Sequence, residues 1–330
     1  MWDGEIKAAL TKIKRPAGVL ALGWASVESA ATGRTEHRPL HDLYPQSVMR
    51  KIAFVAGDGL GWRISALRTV RATPAPVKIV VITGAPSWAE YWAPAMAALP
   101  ADREMIVVNR PGYGDSGPSA GVYDIQTQAR ALAPLLQTAR GQKLILVGQS
   151  YGAAIAAVMA AAQPTQVQSL VLLSSYLSEP GPTARWLVNT GARFAGVLPR
   201  DLRHAVHEIN GQPAQIHRLH AALPKVHAPI HVIHGEDDDF APIEAARALI
   251  RDVPAARPVR FDAIPGAGHF FTEQAPERLV AMLEACVPAP SRWKAALAGW
   301  SASPAPRDAP GGSQSARLID IVPATSPQAG

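Results

Sequence analysis

The sequence predicts an α/β protein: a mostly parallel eight-stranded sheet with helices on both faces and a small helical cap. Three observations carry this. Short apolar runs rich in β-branched residues recur from residue 51 to residue 264, and helix-periodic stretches separate the later ones. One interval, residues 175–225, is too long for a single strand-to-helix connection, so something is inserted there.

In chain order, residues 1–48 show no consistent period and contain Pro16, Pro39 and Pro45, which sets them outside the core as an N-terminal extension. Within them, the apolar run at 17–27 follows Lys12, Lys14 and Arg15 and precedes Ser29, Ala30 and Ala31, as in a secretory signal. Asp3 and Glu5 spoil its leading segment, and Trp2, Ile6, Ala9 and Ile13 recur at helical spacing, so an amphipathic surface helix explains the same residues. A cytoplasmic location is expected, with export through an N-terminal signal as the alternative.

The folded domain spans residues 49–287. Strands are read at 51–56, 64–71, 78–83, 105–109, 143–148, 169–174, 229–234 and 258–264. After the first, Gly57-Asp58-Gly59-Leu60-Gly61 leads into another β-like run and not into a helix, which makes it a hairpin turn and not a dinucleotide-binding loop. Helices are read at 89–98, 125–139, 151–162, 243–251 and 276–287, the last opened by Pro276. A hairpin followed by βα repeats gives the mostly parallel sheet. Helix-like pieces at 184–197 and 201–223 make residues 175–225 the cap. Residues 288–330 are rich in Pro, Ala, Ser and Gly, and disorder is expected there.

Composition removes several function classes. Hydrophobic residues make up 48% and charged residues 18% of the chain, enough to build a large core and too apolar for a mostly disordered protein. Cys286 is the single cysteine, so neither an internal disulfide nor a cysteine-based metal site is available. The net charge of +6 comes from scattered residues with no recognition motif, and no nucleic-acid partner is expected. The uncharged stretch between Lys143 and Glu179 is divided by Gly148, Gln149, Gly152, Gln163 and Pro164 into two strands and an Ala-rich helix, so no integral membrane span is expected. His204 with His207, and His217 with His220, fall at i, i+3, but no carboxylate pattern frames them and no metal site is expected.

Chemistry concentrates at three strand ends. Gly148-Gln149-Ser150-Tyr151-Gly152 stands where an apolar strand gives way to a helix. A serine on such a turn is held in a strained conformation, flanking glycines admit the neighbouring backbone, and the helix N-terminus favours negative charge. A serine hydroxyl needs a base, and an imidazole needs a carboxylate to hold its tautomer. Both follow in order: the acidic loop Gly235-Glu236-Asp237-Asp238-Asp239-Phe240-Ala241-Pro242, then Gly266-Ala267-Gly268-His269-Phe270. Each lies just past a parallel strand, at the edge where open α/β sheets place their sites.

These residues, with Asn109-Arg110-Pro111-Gly112-Tyr113-Gly114-Asp115-Ser116-Gly117 after the fourth strand, resemble the α/β-hydrolase superfamily over about residues 51–287, in its serine-nucleophile branch of capped esterase- and lipase-like hydrolases. The resemblance implies Ser150 as nucleophile, His269 as base and Asp238 as acid, because the family's aspartate falls three residues after the loop glycine. Asp237 and Asp239 are its competitors as members of a solvated turn, and Glu179 is a more distant one. Where the family commonly shows His-Gly, this chain has Thr83-Gly84-Ala85-Pro86-Ser87-Trp88. An oxyanion hole needs only N–H groups, which Ala85 and Tyr151 supply and Pro86 does not. Asn109 replaces a usual aspartate and is read as a structural change.

The implied activity is cofactor-independent cleavage of a carboxylic ester or related small acyl substrate through an acyl-enzyme. C–C bond hydrolase, lactonase and acyltransferase activities share the same triad, and a non-catalytic ligand-binding protein on this fold is the alternative from another class. Trp88, Trp186 and Phe194 are candidate substrate-lining side chains, with packing as the competing role. The cap leaves the sheet at the catalytic edge and is expected to govern which substrate enters. Substrate identity and oligomeric state are not legible in these residues.

Overall fold

The computed structural model describes residues 47–177, 179–251, 253–254 and 257–288. The expected signal or amphipathic helix and the Pro-rich tail beyond Pro288 lie outside the described residues. All eight strands form: β1 (Met49–Val55), β2 (Arg63–Thr69), β3 (Val77–Ile82), β4 (Arg103–Val108), β5 (Lys143–Gln149), β6 (Ser169–Leu173), β7 (Ile230–Gly235) and β8 (Val259–Ile264). Their spatial order is β1-β2-β4-β3-β5-β6-β7-β8. β2 runs antiparallel to β1 and β4, and the other neighbouring pairs are parallel. The turn at 57–61 joins β1 to β2, with Asp58, Gly59 and Gly61 at positive φ, as a tight hairpin requires.

The helices are α1 (Ala93–Ala97), α2 (Ile125–Leu132), α3 (Gly152–Ala162), α4 (Pro182–Arg193), α5 (Arg200–Gly211), α6 (Ile216–Ala222), α7 (Ile243–Ile250), α8 (Phe271–Gln274) and α9 (Pro276–Ala285). Strand periodicity splits the core into two layers. Val80, Ile82, Ile106, Val108, Leu144 and Leu146 pack with residues of α2, α3, α6 and α7, whereas Ile79, Val81, Met105, Val107, Ile145 and Val147 pack with α1 and α9. Each such side chain, buried, contributes about 1.5–3 kcal/mol. Continuous apolar strands are the consequence of covering both faces.

Helix lengths depart from the periodic reading at prolines. Residues 89–98 form a 3-10 turn (Ala89–Trp92) before α1, and 125–139 stop as α-helix at Leu132, continuing as the 3-10 turn Ala133–Leu136. Among the described residues the cap holds three α-helices instead of two, because a 3-10 turn at Gln212–Gln215 separates α5 from α6. Pro94, Pro134 and Pro213 lack the N–H that an uninterrupted helix needs. The strand order reverses between β3 and β5, and ligands of open α/β sheets bind beyond the carboxyl ends of the strands at such a point.

Candidate active site

Ser150 stands on the turn between β5 and α3. Its φ is 51°, a left-handed conformation that costs a non-glycine residue about 1–3 kcal/mol and persists only when its surroundings enforce it. Here the Ser150 N–H donates to Leu173 O at 2.9 Å, and its carbonyl accepts from the N–H groups of Ala153 and Tyr176 at 3.0 and 3.1 Å. The flanking glycines are demanded by space. A Cβ on Gly148 would lie 2.5 Å from Ala153 Cα, and one on Gly152 would lie 2.2 Å from Ile82 O. Below the serine, Gln149 accepts from Trp92 Nε1 at 2.9 Å and donates to Thr272 Oγ1 at 3.2 Å.

The loops after β7 and β8 bring Asp238 and His269 to the same edge. Ser150 Oγ is 2.9 Å from His269 Nε2, and His269 Nδ1 is 2.8 Å from Asp238 Oδ2. An ionised carboxylate only accepts, so Nδ1 carries the ring proton and Nε2 presents its lone pair to the Ser150 hydroxyl. Burial by itself would raise the Asp238 pKa, but the His269 charge and hydrogen bonds from His234, His269 and Ala241 outweigh it and hold the carboxyl below the usual carboxylate range. Asp238 Oδ1 also accepts from the N–H groups of Phe240 and Ala241, at 3.0 and 2.8 Å. The His269 ring is stacked on Phe240 at 5.3 Å, with Phe270 edge-on at 5.1 Å, and its carbonyl accepts from Ser174 Oγ at 2.9 Å.

Sequence reading passed over His234, which supports the acid from below. Its Nδ1 accepts from Ser175 N–H at 3.3 Å, which leaves the proton on Nε2, 2.8 Å from Ala241 O and 3.2 Å from Asp238 Oδ2. The i, i+4 spacing of His234 and Asp238 is its one local signal. Among the competing acids, Asp237 and Glu179 are exposed. Asp239 is half-buried and accepts from Thr183 Oγ1 at 2.5 Å, so it roots α4 instead of belonging to a solvated turn.

The 83–88 loop lies against the serine: a Cβ on Gly84 would sit 3.0 Å from Ser150 Cβ. Among the described residues, the amides of Ala85 and Tyr151 make no loop or turn hydrogen bond to a main-chain carbonyl. Asn109 is a structural tie, its Oδ1 accepting from Ala89 N–H at 2.7 Å and its Nδ2 donating to Ser65 Oγ at 3.1 Å. His204 also packs the cap: its Nδ1 is 2.9 Å from Gly112 O and its ring meets Tyr113 and Tyr123 edge-on.

The three aromatic candidates differ in burial. Trp88 is buried and its indole N–H donates to Asp201 Oδ2 at 2.8 Å, while its ring packs against Leu202, so it bolts the cap to the sheet. Trp186 and Phe194 are 56% and 58% exposed. Helix α4 turns Ala184 and Val188 inward and Trp186 outward, and Phe194 follows its last residue, whereas an enclosed acyl slot would bury both rings. Trp186→Ala and Phe194→Ala are therefore expected to leave the acyl-chain-length profile of kcat/KM unchanged within about threefold and stability within about 0.5 kcal/mol, measured on a series of soluble esters.

Arg110 is the largest feature missed. It is fully buried and reaches Thr83 O (2.9 Å), Gly84 O (2.8 Å), Gln128 Oε1 (2.8 Å) and both carboxylate oxygens of Glu208 (2.7 and 2.8 Å). Burial opposes its charge, but the Glu208 carboxylate more than compensates and holds its pKa above the ordinary arginine value.

The chain is similar to known proteins in sequence and in fold. Residues 78–208 match the family described as an alpha/beta hydrolase fold. The chain is 25% identical over 218 residues to the "Putative carbamate hydrolase RutD" of Pseudomonas savastanoi pv. phaseolicola, an alignment covering 54% of this chain and 82% of that protein. It is 25% identical over 213 residues to the 2-hydroxy-6-oxononadienedioate/2-hydroxy-6-oxononatrienedioate hydrolase of Cupriavidus pinatubonensis, covering 53% and 73%. Among solved structures, a membrane phospholipase A described as a bacterial virulence factor superposes with a TM-score of 0.58 at 18% identity, covering 87% of this chain and 98% of that one. An esterase from Thermogutta terrifontis superposes at 0.54 with 21% identity, covering 72% and 97%. At these identities the superpositions speak for the fold. No helix among the described residues is long and apolar enough to cross a membrane.

Proposed function

We propose that this chain, which belongs to the α/β-hydrolase superfamily, is a serine hydrolase that cleaves a carboxylic ester or related small acyl substrate through an acyl-enzyme. The observation that carries the reading is the relay of 2.9 and 2.8 Å contacts from Ser150 Oγ through His269 to Asp238, behind a strained turn. Ser150 Oγ attacks the acyl carbon while His269 Nε2 takes its proton. The tetrahedral oxyanion accepts from the N–H groups of Ala85 and Tyr151 at the N-terminal end of α3. His269 then protonates the departing alcohol, and a water activated by the same ring releases the acid. Asp238 keeps the ring in the tautomer this needs. No step calls on a cofactor, and the cap, rooted between β6 and β7, is the element that selects the acyl group.

The names of two relatives favour a second reading on the same residues, a carbamate or a C–C bond as the scissile group. A panel of p-nitrophenyl esters, a carbamate and a vinylogous 1,5-diketone, run beside fluorophosphonate labelling with peptide mapping, separates the readings. Labelling at Ser150 with highest kcat/KM on an ester supports the first, and highest kcat/KM on the carbamate or diketone replaces it with the second. Absence of labelling, with no turnover of any member, leaves a binding protein on the same fold.

A further inference from the structure

Arg110 comes from the loop after β4 and Glu208 from cap helix α5, yet neither side chain has any exposed surface. A buried charge must be paired and its remaining hydrogen-bonding capacity used. Around these two, every partner is in place. Glu208 accepts from Arg110 on both oxygens, from the Tyr113 hydroxyl at 2.5 Å and from Gln128 Nε2 at 2.8 Å. The rest of the Arg110 fork donates to the carbonyls of Thr83 and Gly84. Those two carbonyls immediately precede Ala85. The guanidinium carbon also lies 4.9 Å from the ring centroid of Tyr151, and 4.9 Å from that of Tyr113. One side chain thus touches the backbone leading into the first oxyanion donor and the ring of the residue that supplies the second.

We propose that Arg110 is a positioning residue that aims the Ala85 and Tyr151 N–H groups at the oxyanion, and that Glu208 holds it there, so that the cap governs the chemical step as well as entry. This rests on the serine hydrolase reading above. Preorganised donors act only if their direction is fixed before charge develops, and an error of a few tenths of an ångström weakens them more in the transition state than in the ground state. The loop carrying Ala85 is tied at Thr83 and Ser87 by their hydroxyls, but Gly84 between them has no side chain to anchor, so the bonds of the Thr83 and Gly84 carbonyls to Arg110 fix the backbone just before Ala85. Arginine suits this because its rigid fork serves the two carbonyls and the carboxylate together. Lysine would keep the charge pair with Glu208 but offers one nitrogen where three are used. The cap contributes the carboxylate, and with it the orientation of the fork.

The test compares Arg110→Lys, Glu208→Gln and the double variant Arg110→Met with Glu208→Leu. The double variant removes both charges and so protects the fold if a single change is not tolerated. For each, kcat and KM on the best ester, Ki for an arylboronic acid that forms a tetrahedral adduct with the serine, and the thermal midpoint are measured. The expected result is a fall in kcat of about 30-fold or more in Arg110→Lys and in the double variant, with KM within about threefold and the boronate Ki raised in step with the loss of kcat. A lowered thermal midpoint with kcat and boronate Ki within threefold of wild type would make the pair a structural tie and overturn the proposal. Failure of the underlying reading has a different signature: turnover that survives Ser150→Ala, or a wild-type enzyme that does not bind the boronate, and either overturns the proposal at its base.

Discussion

Replacing Ser150 by alanine is expected to lower kcat by about 10⁴-fold or more, since it removes the attacking atom and leaves only the oxyanion donors and binding to act. The fold should be untouched. Only Oγ is deleted, and the main-chain bonds to Leu173, Ala153 and Tyr176 that enforce the turn do not involve it. Alanine is also no worse than serine at positive φ. Kinetics under saturating ester, with the thermal midpoint measured on the same sample, check both halves. A folded variant that keeps more than about a hundredth of wild-type kcat would move the nucleophile to another residue.

Asp238→Asn is expected to cost about 10⁴-fold in kcat through the His269 tautomer, because an amide that donates toward Nδ1 drives the ring proton to Nε2, where it blocks acceptance from Ser150. The neighbours rank far below it. Asp237→Asn alters an exposed side chain and should stay within about twofold, while Asp239→Asn weakens the bond to Thr183 and should stay within about tenfold. The same aspartate carries an acid-stability effect whose sign follows from its lowered pKa. A carboxyl with a folded-state pKa below its unfolded value of about 3.9 stabilises the protein fully above that value, and the contribution is lost as pH falls toward the folded one. Urea unfolding between pH 2.5 and 6 should therefore show a shallower loss of stability below about pH 4 in Asp238→Asn than in wild type. A wild-type slope in the variant would place the acid-labile contribution on other groups.

Much of this arrangement is legible in the chain because it depends on local pattern. The alternation of Ile79 and Val81 with Val80 and Ile82 marks a strand buried on both faces, and Gly148 and Gly152 on either side of a serine announce close backbone approach. The helix ends are different: apolar periodicity carries the reading straight through Pro94, Pro134 and Pro213, whose missing N–H groups break those stretches into 3-10 turns and shorter helices. Asp238 is a different case. Three successive aspartates offer the same chemistry, and the choice is made by a loop that buries one, exposes one and turns the third toward Thr183. Arg110 and Glu208 lie 98 positions apart and sit in segments whose periods say nothing of each other. A pair of opposite charges cancels in net charge, and hydropathy does not tell a buried charged residue from an exposed one, so folding alone brings it to light.

The strand order has a consequence for how the site comes into being. β5, β6, β7 and β8 are neighbours in space in the order in which they occur in sequence, so this half of the sheet is laid down strand by strand, each new one pairing with its predecessor. The serine directly follows the first of these strands and the histidine lies in the loop after the last, 119 residues later. Contacts of that separation form late, because the intervening chain must be ordered before they are rewarded. On the proposed reading, a growing or truncated chain that ends before Val259 carries Ser150 without its base, and its hydroxyl stays an ordinary alcohol. Hydrolytic competence is in this sense a checkpoint at the C-terminal end of the domain, and the β7–β8 pairing is the step that passes it.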